Sequence, residues 1–447
     1  MNDMTKGNSM KQLLMFMLPV LLGNLFQNLY SMVDTIIVGQ YLGVDALAAV
    51  GTTGSITFLV IGWVTGMTSG FGILIAQAFG AEDTSRLRHY TAMSIYICVA
   101  FTVLMIAGLL CANDALLHFI NTPDNIYTET RAYITVIYIG LSATFLYNML
   151  AAIARALGDS KTPLYFLVLS SVLNIILDFW FVGGLDFGVA GAGYATVLSQ
   201  AVAGFLCLIY VYRRYPELRF SREEARFKFT SFKQLMAMGI PMGLQFSITA
   251  IGTMIVQSAL NQLGSVHIAA YASAMKIQNI LMQFSVAMGA AVANFVGQNY
   301  GAGKIDRVKK GVGDAVKITL LYSIVGMVIG YFIAPSLVRL FADDPTGEME
   351  QIAIEIFHIT IWFYPFLYLI FIYRNALQGL GNGMIPMLGG IFELIARGLV
   401  IMLLFEGLQF VGVCLSDPIA WVSALIPLVP YYYWYRRKIT RRMETTN

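Results

Sequence analysis

Residues 13–39 read LLMFMLPVLLGNLFQNLYSMVDTIIVG, and the fold follows from them. The run carries one ionisable group, Asp34, and is long enough to cross the roughly 30 Å hydrocarbon layer of a bilayer as a helix, which takes about 20 residues. No other conformation serves, because unpaired backbone groups cannot face lipid. The run is too long for a signal-peptide core and lacks a small-residue cleavage pattern, so it reads as a retained span. Further stretches pass the same test near 46–79, 90–112, 130–156, 163–183, 188–212, 235–260, 268–299, 314–341, 352–380, 385–405 and 412–435. Twelve spans leave no room for a soluble domain. Composition agrees: of 447 residues 58% are apolar and 12% charged, about half the charged fraction of a soluble domain. A net charge of +3, from 28 Lys and Arg against 25 Asp and Glu, argues against nucleic acid as a partner. Cys98, Cys111, Cys207 and Cys414 stand singly in apolar runs, so neither a metal site nor a disulfide frame is expected.

The opening stretch has an echo. Lys11-Gln12-Leu13 and Pro19 match Lys233-Gln234-Leu235 and Pro241, and Leu42-Gly43 matches Leu263-Gly264. Gln77 and Gly80-Ala81 match Gln298 and Gly301-Ala302, while Leu157-Gly158 and Pro163 match Leu380-Gly381 and Pro386. The repeat predicts an all-α membrane protein of two six-helix lobes: an N-lobe over 1–215, a cytoplasmic linker over 216–233 and a C-lobe over 234–447. Six spans per lobe is even, so the lobes enter from the same side and a pseudo-twofold axis runs along the membrane normal. Such a plan suits an alternating-access carrier; a duplication that records ancestry alone is the other reading. Most Lys and Arg fall in the connections on one side, including the run Arg213 to Lys233, and only Arg131 and Arg339 fall on the other. Both termini are therefore expected in the cytoplasm.

Ionisable groups inside a span are costly and point to function unless a structural partner is found. Asp34, Asp178, Lys276, Arg374, Glu393 and Arg397 lie well inside. Glu393 and Arg397, four apart on one helix, are expected to form a structural ion pair, and Arg374 can snorkel to the cytoplasmic end of its helix. The aspartates have no basic neighbour in sequence. Asp34 lies roughly 8 Å below the outer end of span one and Asp178 about 7 Å below that of span five, taking 1.5 Å per residue. Asn174, one turn deeper, and Thr196 in span six reach the same level. Four oxygen-bearing side chains thus share one slab, able to hold a monovalent cation or a proton; a purely structural role for the acids is the alternative. Repeat arithmetic puts Val256 and Ile401 at the matching places in the C-lobe, so the cluster exists once. Gly62, Gly66 and Gly70 at four-residue spacing suit close helix packing, and Pro19 can bend its helix.

These residues resemble a family. PVLLGNLFQNLYSMVDTIIVG at 19–39 and LGVDALAAVG at 42–51 look like the opening of multidrug and toxic compound extrusion (MATE) transporters. AQAFGAED at 76–83, RALGDSKTP at 155–163, NIILD at 174–178, GVAGAGYAT at 188–196, GQNYGAG at 297–303 and ALQGLGN at 376–382 continue the likeness in order. The resemblance implies a multi-pass transporter of the bacterial inner membrane that exports amphipathic, often cationic compounds in exchange for H+ or Na+. It also implies that Asp34, Asn174, Asp178 and Thr196 match the family's cation-site positions, that Tyr30 and Asn148 lie near the cavity, and that Pro19 is the bend of the first helix. Span seven, Gln234 to Leu260, holds no Asp or Glu, so a C-lobe sodium site of the kind some members build there is not expected.

The expected partners are small amphipathic molecules and the lipid bilayer, with the chain acting as a monomer, with no cofactor, and with H+ or Na+ as coupling ion. Lys276, without an obvious sequence partner, is a further cavity candidate. A lipid-linked saccharide flippase on a related plan is the competing function, although it would want more basic residues in its cleft. No HExxH, GxSxG or P-loop occurs and the four His stand far apart, so an enzyme is not expected.

Overall fold

Every regular element among the residues described by a computed structural model, 3–341 and 347–444, is helical. The ends of the predicted lobes, 1–2 and 445–447, and residues 342–346 after span nine lie outside the described residues. In chain order the helices are α1 (Ser9–Thr52), α2 (Gly54–Gly80), α3 (Thr84–Phe119), α4 (Asp124–Ile139), α5 (Leu141–Ala156), α6 (Lys161–Phe181) and α7 (Gly188–Arg214). They continue as α8 (Phe229–Leu263), α9 (Ser265–Gly301), α10 (Ile305–Phe341), α11 (Glu348–Thr360), α12 (Tyr364–Gly379), α13 (Met384–Leu408) and α14 (Phe410–Glu444). Eleven spans are long and apolar enough to cross a membrane, with α11 and α12 joined as one, and α4 with α5 makes a twelfth, bent by 43°. The chain is a twelve-helix membrane protein.

Turn chemistry explains where the helices stop. Gly158 and Gly381 take positive φ, +80° and +83°, a conformation open to glycine at little cost. Each closes the preceding helix in a Schellman motif: Asp159 N donates to Ala154 O and Asn382 N to Leu377 O. The next residue then starts the following helix. Asp159 Oδ1 accepts from Thr162 N at 3.0 Å and Asn382 Oδ1 from Ile385 N at 3.1 Å. Two turns 223 residues apart thus use the same glycine and the same side-chain acceptor, and α6 and α13 begin in the same register after them.

Among the described residues the chain packs into two units: Asp3 with Leu18–Phe246, called unit 1, and Met4–Met17 with the described part of 247–444, called unit 2. In unit 1 the small residues of α2 let it approach α8. A Cβ on Gly62, Gly66 or Gly70 would come within 2.8, 2.4 and 2.9 Å of Phe246, Met242 and Met238, so the glycine stripe serves packing, as its spacing predicts. In unit 2 the N-terminal segment lies along the ends of α9 and α10. Met4 N donates to Gln298 Oε1 at 3.0 Å, Ser9 Oγ to Asp314 Oδ2 at 2.5 Å, and Arg307 to the carbonyls of Met4, Lys6 and Gly7.

Candidate functional site

Within unit 1, helix rise brings together the residues that the sequence places at one depth. Asp34 comes from α1, Asn174 and Asp178 from α6, and Thr196 from α7. Asp178 is fully buried and Asn174 is 1% exposed. The Asn174 amide links two of the others: its nitrogen donates to Asp178 Oδ2 at 3.0 Å and its oxygen accepts from the Thr196 backbone N–H at 3.1 Å. Asp34 and Asp178 meet side chain to side chain within hydrogen-bonding range. A bond between two carboxyls needs a proton on one of them, since two carboxylates in contact repel. Each acid also keeps its Oδ1 buried and without a partner, and a buried acceptor left so is costly, by about 1–3 kcal/mol. Thr196 Oγ1 donates to Ala192 O at 3.0 Å, which leaves its lone pairs for the Tyr30 hydroxyl beside it.

One turn beyond these residues stands an apolar cap. Val38, Val182 and Ala192 follow or precede the site residues by about a turn and pack with Ala46, Ala49, Ile126, Ile137 and Val189. On the opposite side a cavity of about 230 Å³ begins at Tyr30 and is lined along α1 as far as Pro19, a run of about 16 Å at helical rise. Asn148 lines it too, its Nδ2 donating to Thr144 O at 2.9 Å and its Oδ1 accepting from Thr65 Oγ1 at 3.4 Å. The backbone of α1 stays helical through Pro19, and its one non-helical residue is Gly43.

Lys276 is exposed on α9 in unit 2 and is not among the residues that line this unit 1 cavity. One sequence expectation needs correction. The Glu393 and Arg397 pair does not form: Arg397 Nε donates to Asp417 Oδ1 at 2.8 Å, and Glu393 Oε2 accepts from Arg374 at 3.3 Å. An i,i+4 pair gains only a few tenths of a kcal/mol, so partners on neighbouring helices with better geometry prevail. Arg374 is thereby paired across α12 and α13. Sequence reasoning missed Asp417, an acid five residues into the last predicted span, which charge counting alone would have found. It also missed Tyr133 of α4, a largely buried phenol within electrostatic reach of Asp34 and Asp178; nothing in its local sequence marks it.

Comparison with known proteins follows the same outline. The family model described as MatE matches the chain twice, over residues 19–180 and 241–416. The probable multidrug resistance protein YoeA of Bacillus subtilis (strain 168) is 27% identical over 98% of this chain and 97% of its own length. YpnP of the same organism, also described as a probable multidrug resistance protein, is 28% identical over 85% of this chain and 84% of its own. Among solved structures, a MATE protein crystallised in complex with MaL6 superposes with a TM-score of 0.92, covering 98% of this chain and 99% of that one at 22% identity. At that identity the likeness speaks for the fold.

Proposed function

Since this chain belongs to the MatE family, we propose that it is a multidrug antiporter of the bacterial inner membrane. It exports amphipathic, often cationic small molecules in exchange for H+ or Na+, works as a monomer without a cofactor, and keeps both termini in the cytoplasm. The carrying observation is the pair of facing carboxyls, Asp34 and Asp178, each with a buried, unpartnered Oδ1. A proton or a sodium ion arriving there meets acid oxygens, with the Thr196 hydroxyl in the same cluster, and cancels a charge that the apolar cap cannot solvate. Tyr30 touches this cluster through Thr196 and also lines the cavity, so loading the acids and filling the cavity act on the same residue. Coupling then needs only that cation and drug prefer different states of the carrier, because a ligand indifferent to the two states shifts nothing. The lobes of the sequence repeat are the bodies that would exchange access.

The competing flippase reading has less to stand on. One basic residue, Arg155, lines the cavity, which gives a pyrophosphate little to grip. Dye efflux from proteoliposomes, driven in turn by an imposed proton or sodium gradient, tests the proposal. Asp34→Asn is expected to abolish gradient-driven efflux while the protein still folds and inserts. Normal export by that variant would remove Asp34 from the mechanism.

A further inference from the structure

Unit 2 carries two largely buried ion pairs that the exchange described above does not use. Arg374 of α12 pairs with Glu393 of α13, and Arg397 of α13 pairs with Asp417 of α14. Tyr271 of α9 donates its hydroxyl to the second oxygen of Asp417 at 3.1 Å. The Arg397 side chain, 7% exposed, reaches α8 at Gly252, where a Cβ would lie 2.1 Å from its guanidinium. Paired charges inside a membrane protein are expensive to bury, and replacing such a pair by apolar residues is often neutral or stabilising. Their positions supply a reason for them.

The turns before α6 and α13 are alike in glycine conformation and in side-chain acceptor, and they lie 223 residues apart. Carried along the two helices, that register sets Arg397 opposite Asn174, the amide that holds Asp178 in unit 1, and Glu393 opposite Ser170. Carried back across the turn, it sets Arg374 opposite Ala151. Ser170 and Ala151 both line the unit 1 cavity. Three positions that are small or neutral around the unit 1 cavity and acid site are therefore charged in unit 2, and a guanidinium stands where unit 1 has an amide beside unpartnered carboxyl oxygens.

We propose that the Arg397 guanidinium is a built-in cation that fills unit 2's counterpart of the unit 1 cation site, leaving the chain one exchangeable site. The idea takes its meaning from the cation role given to Asp34 and Asp178. Its physical content is separate: the Asp417 carboxylate, with one oxygen held by the Tyr271 hydroxyl and the other accepting from Arg397 Nε, is an acceptor for a guanidinium that the chain itself supplies. Removing the side chain should open a site for small guanidinium-type cations.

The test is chemical rescue of the full-length protein in detergent. Arg397→Ala is expected to melt below the native chain and to recover, saturably and by a few degrees, with methylguanidinium but not with tetramethylammonium, while the native protein ignores both. By equilibrium dialysis it should bind one methylguanidinium more than the native chain. The Arg397→Ala, Asp417→Asn double variant should show neither response. The same recovery is expected in an Asp34→Asn background, which separates failure of this proposal from failure of the exchange mechanism. A folded Arg397→Ala that ignores methylguanidinium, or a double variant that responds equally, overturns the proposal. If Arg397→Ala does not accumulate, the charge-balanced double variant decides: its accumulation as a folded protein supports a pocket filled by charge, and its failure to accumulate overturns that.

Discussion

Asp159 shows how much a single side chain can organise. It stands in the turn between α5 and α6 and accepts from Lys161 N at 3.0 Å, Thr162 N at 3.0 Å, Thr162 Oγ1 at 2.5 Å and the Tyr215 hydroxyl. Partial burial pushes its carboxyl up, but these donors together hold it below the usual carboxylate value. A depressed folded value contributes stability above the unfolded pKa of about 3.9, and that contribution fades as pH falls through the folded value. Asp159→Asn should therefore cost about 1–2 kcal/mol at neutral pH. The gap in melting temperature between variant and native protein should narrow below about pH 4, and a gap that stays constant across the acid range would refute the charge-based account. At this scale the sequence was informative where geometry is local. Asp34, Asn174, Asp178 and Thr196 sit on helices of fixed rise, so depth could be computed. The Arg397 and Asp417 bond could not, because it joins two helices whose facing sides no local pattern reports.

At the scale of elements, hydropathy made the spans legible but hid their irregularities. The fourth is broken at Gly140, where α4 and α5 meet at 43°; a Cβ there would lie 2.2 Å from Val197 Cγ2, so the bend and the glycine belong to one close approach to α7. Hydropathy averages over such a joint because both halves are apolar. The stripe on α2 was legible for the opposite reason, since four-residue spacing keeps Gly62, Gly66 and Gly70 on one helix face. It gives a sharp prediction. Gly66→Ala would put a Cβ 2.4 Å from the carbonyl oxygen of Met242, a backbone atom that cannot rotate away, so α2 and α8 must part at a cost of about 1–3 kcal/mol. A methyl added at Gly108 in α3 would meet nothing within 4 Å, and Gly108→Ala should stabilise by about 0.5–1 kcal/mol. Thermal melts of the two variants should move in opposite directions; a shift of the same sign in both would rule out the packing explanation.

Across the whole molecule, each unit carries a tied-down segment leading into a helix. In unit 1 the stretch before α8 is held to the start of α3: Arg88 donates to Glu217 O at 2.8 Å and pairs with Glu224 at 3.3 Å. His89 donates from Nδ1 to Glu224 O at 2.7 Å, and its Nε2 contacts Ser231 Oγ at 2.9 Å. The Ser221 backbone N–H and Arg88 hold the Glu224 carboxyl below its ordinary value. In unit 2 the stretch before α1 is held near the start of α10, where Arg307 reaches three backbone carbonyls and Asn299 Oδ1 at 3.0 Å. The sequence echo of Lys11-Gln12-Leu13 in Lys233-Gln234-Leu235 marked both lead-ins as alike, yet their anchors escaped it because Arg binds backbone carbonyls, which any residue supplies. Since the two anchors share no partner, their removal should act independently. Arg88→Ala should speed amide exchange over residues 216–231 alone, and Arg307→Ala over residues 4–12 alone. The double variant should show the two effects side by side, because local opening is governed by the contacts of each segment. Hydrogen exchange read by mass spectrometry distinguishes the outcomes. If either single variant loosened both segments, the lead-ins would be parts of one cooperative structure, and the two-anchor account would have to be abandoned.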